Sequence, residues 1–189
     1  MPGGKIKITG GSLKSRIINF KETVLLKPTK SFIRETIFNV ISINNNTKCL
    51  DLFSGSGILS AEAISRGAKS STLVENNSKT CEQIISEFIN LNITNYKLIN
   101  DDVINFLKDN INNHYDVIFL DAPYDSNIIE ECVNFLDNHN YLLNNTYLFL
   151  EQSKRNYNKN LINIISKSHN LLKDLSIGDV SYTIARKRN

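Results

Sequence analysis

Residues 49–67 read CLDLFSGSGILSAEAISRG. Cys49, Leu50, Leu52 and Phe53 flank a lone acid, Asp51, in a run of strand length. Gly55 and Gly57 break that run, and a small, apolar stretch follows as far as Gly67. Strand, glycine turn and helix succeed one another within twenty residues, and the pattern then repeats. STLVE (71–75), YKLIN (96–100), YDVIFLD (115–121) and TYLFLE (146–151) have strand character. SKTCEQIISEFINLN (78–92), VINFLKDNI (103–111) and SNIIEECVNFLDN (126–138) have helical periodicity. Short, continuously apolar strands belong to a sheet covered on both faces, and βα alternation implies a parallel one. The expected fold is therefore α/β and Rossmann-like, with a doubly wound, mostly parallel sheet. The closing LLKDLSIGDVSYTIARKR (171–188) breaks the alternation and predicts an antiparallel pair at one sheet edge, turning near Ile177–Asp179.

Upstream of this domain (44–189) lies an extension, residues 1–43. KIKITGG and KSRIINF alternate polar and apolar residues, which predicts a β-hairpin with Gly10 and Gly11 as its turn. Pro28 and Thr29 open a helix with Phe32, Ile33, Ile37, Val40 and Ile41 on one face. Residues 1–34 carry eight lysines and arginines against a single acid, Glu22. The stretch is thus +7 and the remainder −4, within a net charge of +3. A basic arm on a mildly acidic body suggests a polyanionic partner.

Bulk features exclude several classes. Hydrophobic content is 41% and charged content 22%, as in globular proteins, and no apolar run reaches membrane-spanning length. The basic N-terminus lacks the apolar core of a secretory signal. Cys49, Cys81 and Cys132 have neither disulfide nor zinc spacing and read as core residues in a reducing compartment, hence the cytoplasm. No His/Cys/carboxylate cluster has metal-ligand spacing. His114, His139 and His169 read as surface or loop residues, and Arg186, Lys187 and Arg188 as a solvated tail. Nothing demands more than a monomer.

In open α/β sheets, sites form beyond the carboxyl ends of the strands. At the first such end, Asp51, Phe53, Gly55 and Gly57 bring backbone close to a ligand. A dinucleotide turn would carry a third glycine where Ser60 stands, and a phosphate loop would carry a lysine after Gly57. Asp51 suits a neighbouring ammonium and sulfonium better than a pyrophosphate, which points to S-adenosylmethionine. Glu75, in LVENN with Asn76, stands at the position that accepts ribose hydroxyls. In NDDV, Asp102 is placed to accept from an adenine amine and Val103 to offer its N–H. Asp101 is the competing choice, and a helix N-cap is the alternative role for Asp102.

The fourth strand end, DVIFLDAPYD (116–125), is the most informative. Asp121 ends the strand. Pro123 cannot extend a ladder and biases Ala122 toward an extended conformation that aims its carbonyl outward. Tyr124 adds a flat ring. Two acceptors above an aromatic platform suit a planar base with an exocyclic amine. Acceptors that pull the amine toward tetrahedral localise its lone pair and stabilise the charge that develops on methylation. A carboxylate can accept from both N1–H and the N2 amine of guanine, whereas adenine sets an acceptor beside its amine.

With these residues in view, DAPY is similar to the [N/D]PP[Y/F] motif of exocyclic-amine methyltransferases. IKITGGSLKSRII, KPTKSFIRETIFNVI, CLDLFSGSGILSAEAISRGA, LVE, DAPY, LFLEQS and GDVSYTI follow in the order of the bacterial RsmD family. The chain resembles that family over about residues 5–186. The resemblance implies methylation of N2 of one guanine in small-subunit (16S) ribosomal RNA, on an assembled or assembling 30S subunit, with S-adenosylmethionine as cofactor. It implies catalytic roles for Asp121, Ala122, Pro123 and Tyr124, and phosphate contacts from Lys5, Lys7, Lys14, Arg16, Lys27, Thr29, Lys30 and Arg34, although Arg34 and Glu35 could equally pair within the fold. Two departures stand out. Ala122 replaces the usual first proline, which frees the unfolded chain by about 0.4–1 kcal/mol. The hairpin has fewer arginines than the family's. Two rival readings are an adenine-N6 methyltransferase and an RNA-binding assembly factor weakened in catalysis by Ala122.

Overall fold

The computed structural model describes residues 3–21, 28–111, 113–122, 128–139 and 141–189. Its chain order is β1 (Gly3–Lys7), β2 (Ile17–Lys21), α1 (Ser31–Val40), β3 (Lys48–Asp51), α2 (Ile58–Ser65), β4 (Ser70–Glu75), α3 (Ser78–Asn90) and β5 (Tyr96–Asn100). It continues with α4 (Val103–Asp109), β6 (Val117–Leu120), α5 (Ile128–Asn138), β7 (Tyr147–Ser153), α6 (Lys159–Ser168), β8 (His169–Ile177) and β9 (Val180–Lys187). A seven-stranded sheet runs β5-β4-β3-β6-β7-β9-β8. Strands β5, β4, β3, β6 and β7 are parallel, and β9 pairs antiparallel with both β7 and β8. The doubly wound sheet with its antiparallel edge is as the sequence predicts. After β5 the chain crosses back over β3 to form β6. The order therefore reverses at the β3–β6 border, which opens the crevice that ligands use in such folds.

Strand residues alternate between the sheet's two faces. Leu50, Ile118, Leu120, Leu148 and Leu150 join Phe106, Cys132, Leu136, Leu161 and Ile165 in one core under α4, α5 and α6. Cys49, Val117, Phe119, Phe149 and Ile184 join Ile33, Ile37, Leu59 and Ala63 in a second under α1 and α2. Asp51 and Asp121 share the parity of this second set, so both leave their strands on the α1/α2 face. All three cysteines are buried. Among the described residues no helix is long and apolar enough to cross a membrane.

The N-terminal hairpin pairs Ile6 with Ile18. Its Ile6, Ile8, Ile18 and Phe20 pack with Ile58, Ala61, Ile84 and Phe88 of α2 and α3. Gly10 and Gly11 do not form a simple turn. Residues 8–16 make a longer loop seated on the end of α2. Ser12 N–H donates to the Ser65 carbonyl at 2.7 Å, Leu13 N–H to Ser65 Oγ at 2.9 Å, and Ser65 Oγ to the Gly10 carbonyl at 2.6 Å. Gly11 has φ +76°, and a Cβ there would collide with the Ser65 carbonyl, so the docking itself requires glycine.

Three further expectations are corrected. The inward face of α1 carries Ile33, Arg34 and Ile37, while Phe32 is exposed. His169 is buried at the start of β8, where its Nδ1 lies 3.2 Å from the Ile165 carbonyl. The residues expected as a solvated tail are structured. Arg186 lies over the Tyr147 ring, Lys187 pairs with Asp137 at 2.6 Å, and Arg188 donates to the carbonyls of Ser166, Lys167 and His169 at the end of α6. Helix α6 has no counterpart in the sequence reading.

Candidate active site

At the end of β3 the Leu52 N–H reaches the Phe119 carbonyl of β6 at 3.1 Å, and the Ser54 N–H reaches the Val74 carbonyl of β4 at 3.0 Å. The turn is thereby pinned between both neighbouring strands. Gly55 (φ +50°) and Gly57 (φ +74°) take left-handed conformations that a side chain disfavours. Gly57 caps α2, so the helix presents its free N–H groups beside the turn. Asp51 is buried below it. Its Oδ2 accepts from Ser60 Oγ at 2.9 Å, and Ser71 Oγ donates to Ser60 Oγ at 2.8 Å. Its Oδ1 is buried without a hydrogen-bond partner. Burial pushes the carboxyl up to about 7. The charges of Asp121 and Glu75 act in the same direction, and the Ser60 hydrogen bond opposes them.

Glu75, at the end of β4, folds back onto the turn. Oε2 accepts from Gly55 N–H at 3.0 Å and Oε1 from Asn77 N–H at 2.9 Å. Burial raises its carboxyl and these backbone donors lower it. Phe53 packs at the rim of the core and Asn76 is exposed. Asp102 is the N-cap of α4, with Oδ1 accepting from the N–H groups of Ile104 at 2.8 Å and Asn105 at 3.3 Å. Asp101 Oδ1 accepts from Asp102 N–H at 2.7 Å. Val103 is buried and is the first residue of α4, where the backbone N–H has no intrahelical partner.

Asp121 follows β6 at the crevice, half-buried, with Ala122 buried behind it. Burial pushes its carboxyl up to about 6, opposed by a hydrogen bond from Thr29. That bond runs from Thr29 Oγ1 to Asp121 Oδ2. Pro123 and Tyr124 lie outside the described residues, as does Lys27.

The three carboxylates of Asp51, Glu75 and Asp121 thus line one crevice with an unpartnered buried oxygen among them. A site of this charge fits a cationic group. The set of acceptors fits S-adenosylmethionine, whose ammonium and sulfonium would favour the charged form of carboxyls that burial now raises. Among the described residues no group of His, Cys, Asp and Glu is arranged to hold a metal ion.

Beside the crevice a groove of about 600 Å³ runs between the hairpin and the start of α1, lined by Lys5, Lys7, Lys14, Thr29 and Lys30. Those four lysines and Arg16 are exposed. Arg34 also borders the groove but is not available to a phosphate, which corrects the expectation from sequence. Its side chain is 3% exposed and ion-paired to Glu62, itself 0% exposed, at 3.2 Å. Its two remaining arms donate to the carbonyls of Thr29 at 2.8 Å and Lys7 at 2.7 Å.

Glu62 and Ser60 are the residues that sequence reasoning missed. Glu62 takes Arg34 Nε and Thr9 N–H (2.7 Å) on one oxygen and Arg66 on the other. It ties α1, α2 and the hairpin loop together. A single acid inside an otherwise small and apolar helix was the available signal.

A parallel sheet whose order reverses at a glycine turn, with an acid ending each strand at the crevice, defines a Rossmann-like methyltransferase fold. The comparisons narrow this. The family model described as "Conserved hypothetical protein 95" matches residues 6–185. The chain is 41% identical over 152 residues to "Ribosomal RNA small subunit methyltransferase D" of Buchnera aphidicola from Acyrthosiphon pisum, covering 80% of each protein. It is 32% identical over 185 residues to the protein of the same name in Haemophilus influenzae, covering 96% of this chain and 93% of that one. The solved structure of a putative methyltransferase from Escherichia coli, yhhF, superposes with a TM-score of 0.82 at 27% identity, covering 98% of this chain and 99% of that one. The chain belongs to the family of these small-subunit ribosomal RNA methyltransferases, the RsmD family.

Proposed function

We propose that the protein methylates the N2 amine of a guanine in small-subunit (16S) ribosomal RNA, using S-adenosylmethionine. The observation that carries this reading is Asp121, a carboxylate at the β3–β6 crevice that abuts both the glycine turn and the end of the basic groove. The names of the full-length relatives support the RNA and the reaction class. S-adenosylmethionine when bound supplies an electrophilic methyl group on a sulfonium.

The chain's own residues supply binding and orientation. Asp51 Oδ1 is the acceptor for the cofactor's ammonium, Glu75 for its ribose, and the Asp102–Val103 pair flanks its adenine. Lys5, Lys7, Lys14, Arg16 and Lys30 hold phosphates along the groove, a task that positions rather than specifies. Asp121 accepts from guanine N1–H and the N2 amine while the Ala122 carbonyl takes the second amine hydrogen. Pro123 stiffens the turn and Tyr124 stacks the extruded base. These acceptors draw the amine toward tetrahedral, and in-line placement of nitrogen and methyl provides much of the remaining rate. Such a protein works where ribosomes assemble, in the cytoplasm.

The test is transfer of tritiated methyl to small ribosomal subunits lacking the modification, with wild type and Asp121→Ala run side by side and the RNA digested to nucleosides. Labelled N2-methylguanosine from wild type alone is the expected result. Labelled N6-methyladenosine would assign the base as adenine. Subunits bound but unlabelled would leave an assembly factor.

A further inference from the structure

Thr29 lies in KPTKSFIR, just before α1, and its surroundings are unusually determined for a loop residue. It is buried, with 2% of its surface exposed. Its carbonyl accepts from Arg34 at 2.8 Å, and that same guanidinium is anchored on Glu62 of α2 and on the Lys7 carbonyl of β1. With the backbone clamped in this way, the Thr29 hydroxyl donates to Asp121 Oδ2, across 92 positions of sequence.

We propose that Thr29 is a positioning residue for methyl transfer: its hydroxyl fixes the rotation of the Asp121 carboxylate, leaving Oδ1 turned to the substrate amine. This rests on the reading of Asp121 as the amine acceptor. An aspartate at a strand end can rotate about both side-chain torsions. One donor on one oxygen, held by a backbone that cannot shift, removes that freedom before the base arrives. The same bond also favours the ionised form, and only an ionised carboxylate accepts two guanine donors at once.

The charged groups around Asp121 make that second effect matter. Asp51 from β3 couples to it directly. Glu151 of β7 stands at the neighbouring register position, one beyond the Leu120–Leu150 pair, and is buried. Asp51 opposes a further negative charge on Asp121. On the opposite side stands Arg34 of α1, its charge already met by Glu62. The Thr29 hydroxyl is the donor through which the N-terminal extension offsets the charge of Asp51.

The test uses the full chain with small ribosomal subunits lacking the modification, reading kcat, KM and the pH profile of Thr29→Val, Thr29→Ser and Asp121→Ala. Thr29→Val keeps the shape and loses the donor. It should lower kcat about tenfold at pH 7, the effect of one hydrogen bond to a charged group, with KM for subunits within about twofold. Its acidic limb should move to higher pH, so that the deficit shrinks at pH 8.5. Thr29→Ser should restore both rate and profile. Thr29→Ala, lacking the same donor without the added methyl, carries the test if Thr29→Val is unstable.

An unchanged or raised kcat overturns the proposal. So does a raised KM with an unshifted profile, which would make Thr29 a phosphate contact only. Asp121→Ala, which removes the acceptor altogether, separates the two levels. If it retains full activity, the reading of Asp121 fails whatever Thr29 does. If it is inactive while Thr29→Val is normal, the positioning role alone fails.

Discussion

Asp51 carries two opposed demands on one side chain. Its burial favours the protonated form, yet a cationic ligand needs the charge. The folded carboxyl titrates near 7, above its ordinary value of 3.8. The unfolded state therefore loses its proton first as pH rises. Stability from this group is greatest at low pH and declines between about 4 and 7. Asp51→Asn should thus leave the ligand-free protein more stable than wild type at pH 8, by up to a few kcal/mol, with a smaller difference at pH 5. Urea unfolding at the two pH values measures this. The same variant should lose the thermal shift that S-adenosylmethionine gives wild type. Ser60→Ala should raise the carboxyl further and also weaken cofactor binding, by about 1 kcal/mol or more. The acids at the strand ends were legible because a charged residue closing an apolar run is conspicuous. Ser60 was legible only as a missing glycine. Its role as the donor that holds Asp51 depends on an α2 residue lying over the end of β3.

Among the elements, α2 does more than cover the sheet. Its Glu62 holds the N-terminal extension through Arg34 and Thr9, and both side chains of the Arg34–Glu62 pair are buried. Glu62→Gln leaves a buried guanidinium without its counter-charge and should destabilise the protein by about 3–5 kcal/mol. Urea unfolding reads the loss. Trypsin should then cut faster after the exposed Lys7, Lys14 and Arg16, because the loop that α2 holds is released. The pair Arg34→Met with Glu62→Leu should recover part of the stability, since it removes both charges together. Periodicity found the strands and most helices. It did not find α6, although Leu161, Ile162 and Ile165 stand at helical spacing after the Asn158 cap and all face the core. The final strands were recognised as an antiparallel pair. The insertion of β9 between β7 and β8 is a matter of long-range pairing that local pattern does not carry.

For the whole molecule, the separation of a basic arm from an acidic body predicts a salt-dependent interaction with RNA. The logarithm of the binding constant should fall linearly with the logarithm of salt concentration, and each of Lys5→Ala, Lys7→Ala and Lys14→Ala should reduce the slope by roughly one. Filter binding at several salt concentrations checks this, and the pair Arg34→Met with Glu62→Leu should leave the slope unchanged because those two charges already neutralise each other within the fold. By itself the sequence determined the class of fold, the glycine turn, the order of the strand-end acids and the sign of the arm. Each of these is a short-range property: a period of two or of 3.6, a backbone angle open to glycine, a local excess of charge. The tertiary structure alone decided which charges face solvent and which face each other. From sequence Arg34 was a phosphate contact or a partner of its neighbour Glu35; the fold instead brings Glu62, 28 positions away, within 3.2 Å of it. Thr29 acquired its role only because the fold brought its hydroxyl to Asp121. Burial and pairing depend on what the rest of the chain puts alongside, and local sequence holds no record of that.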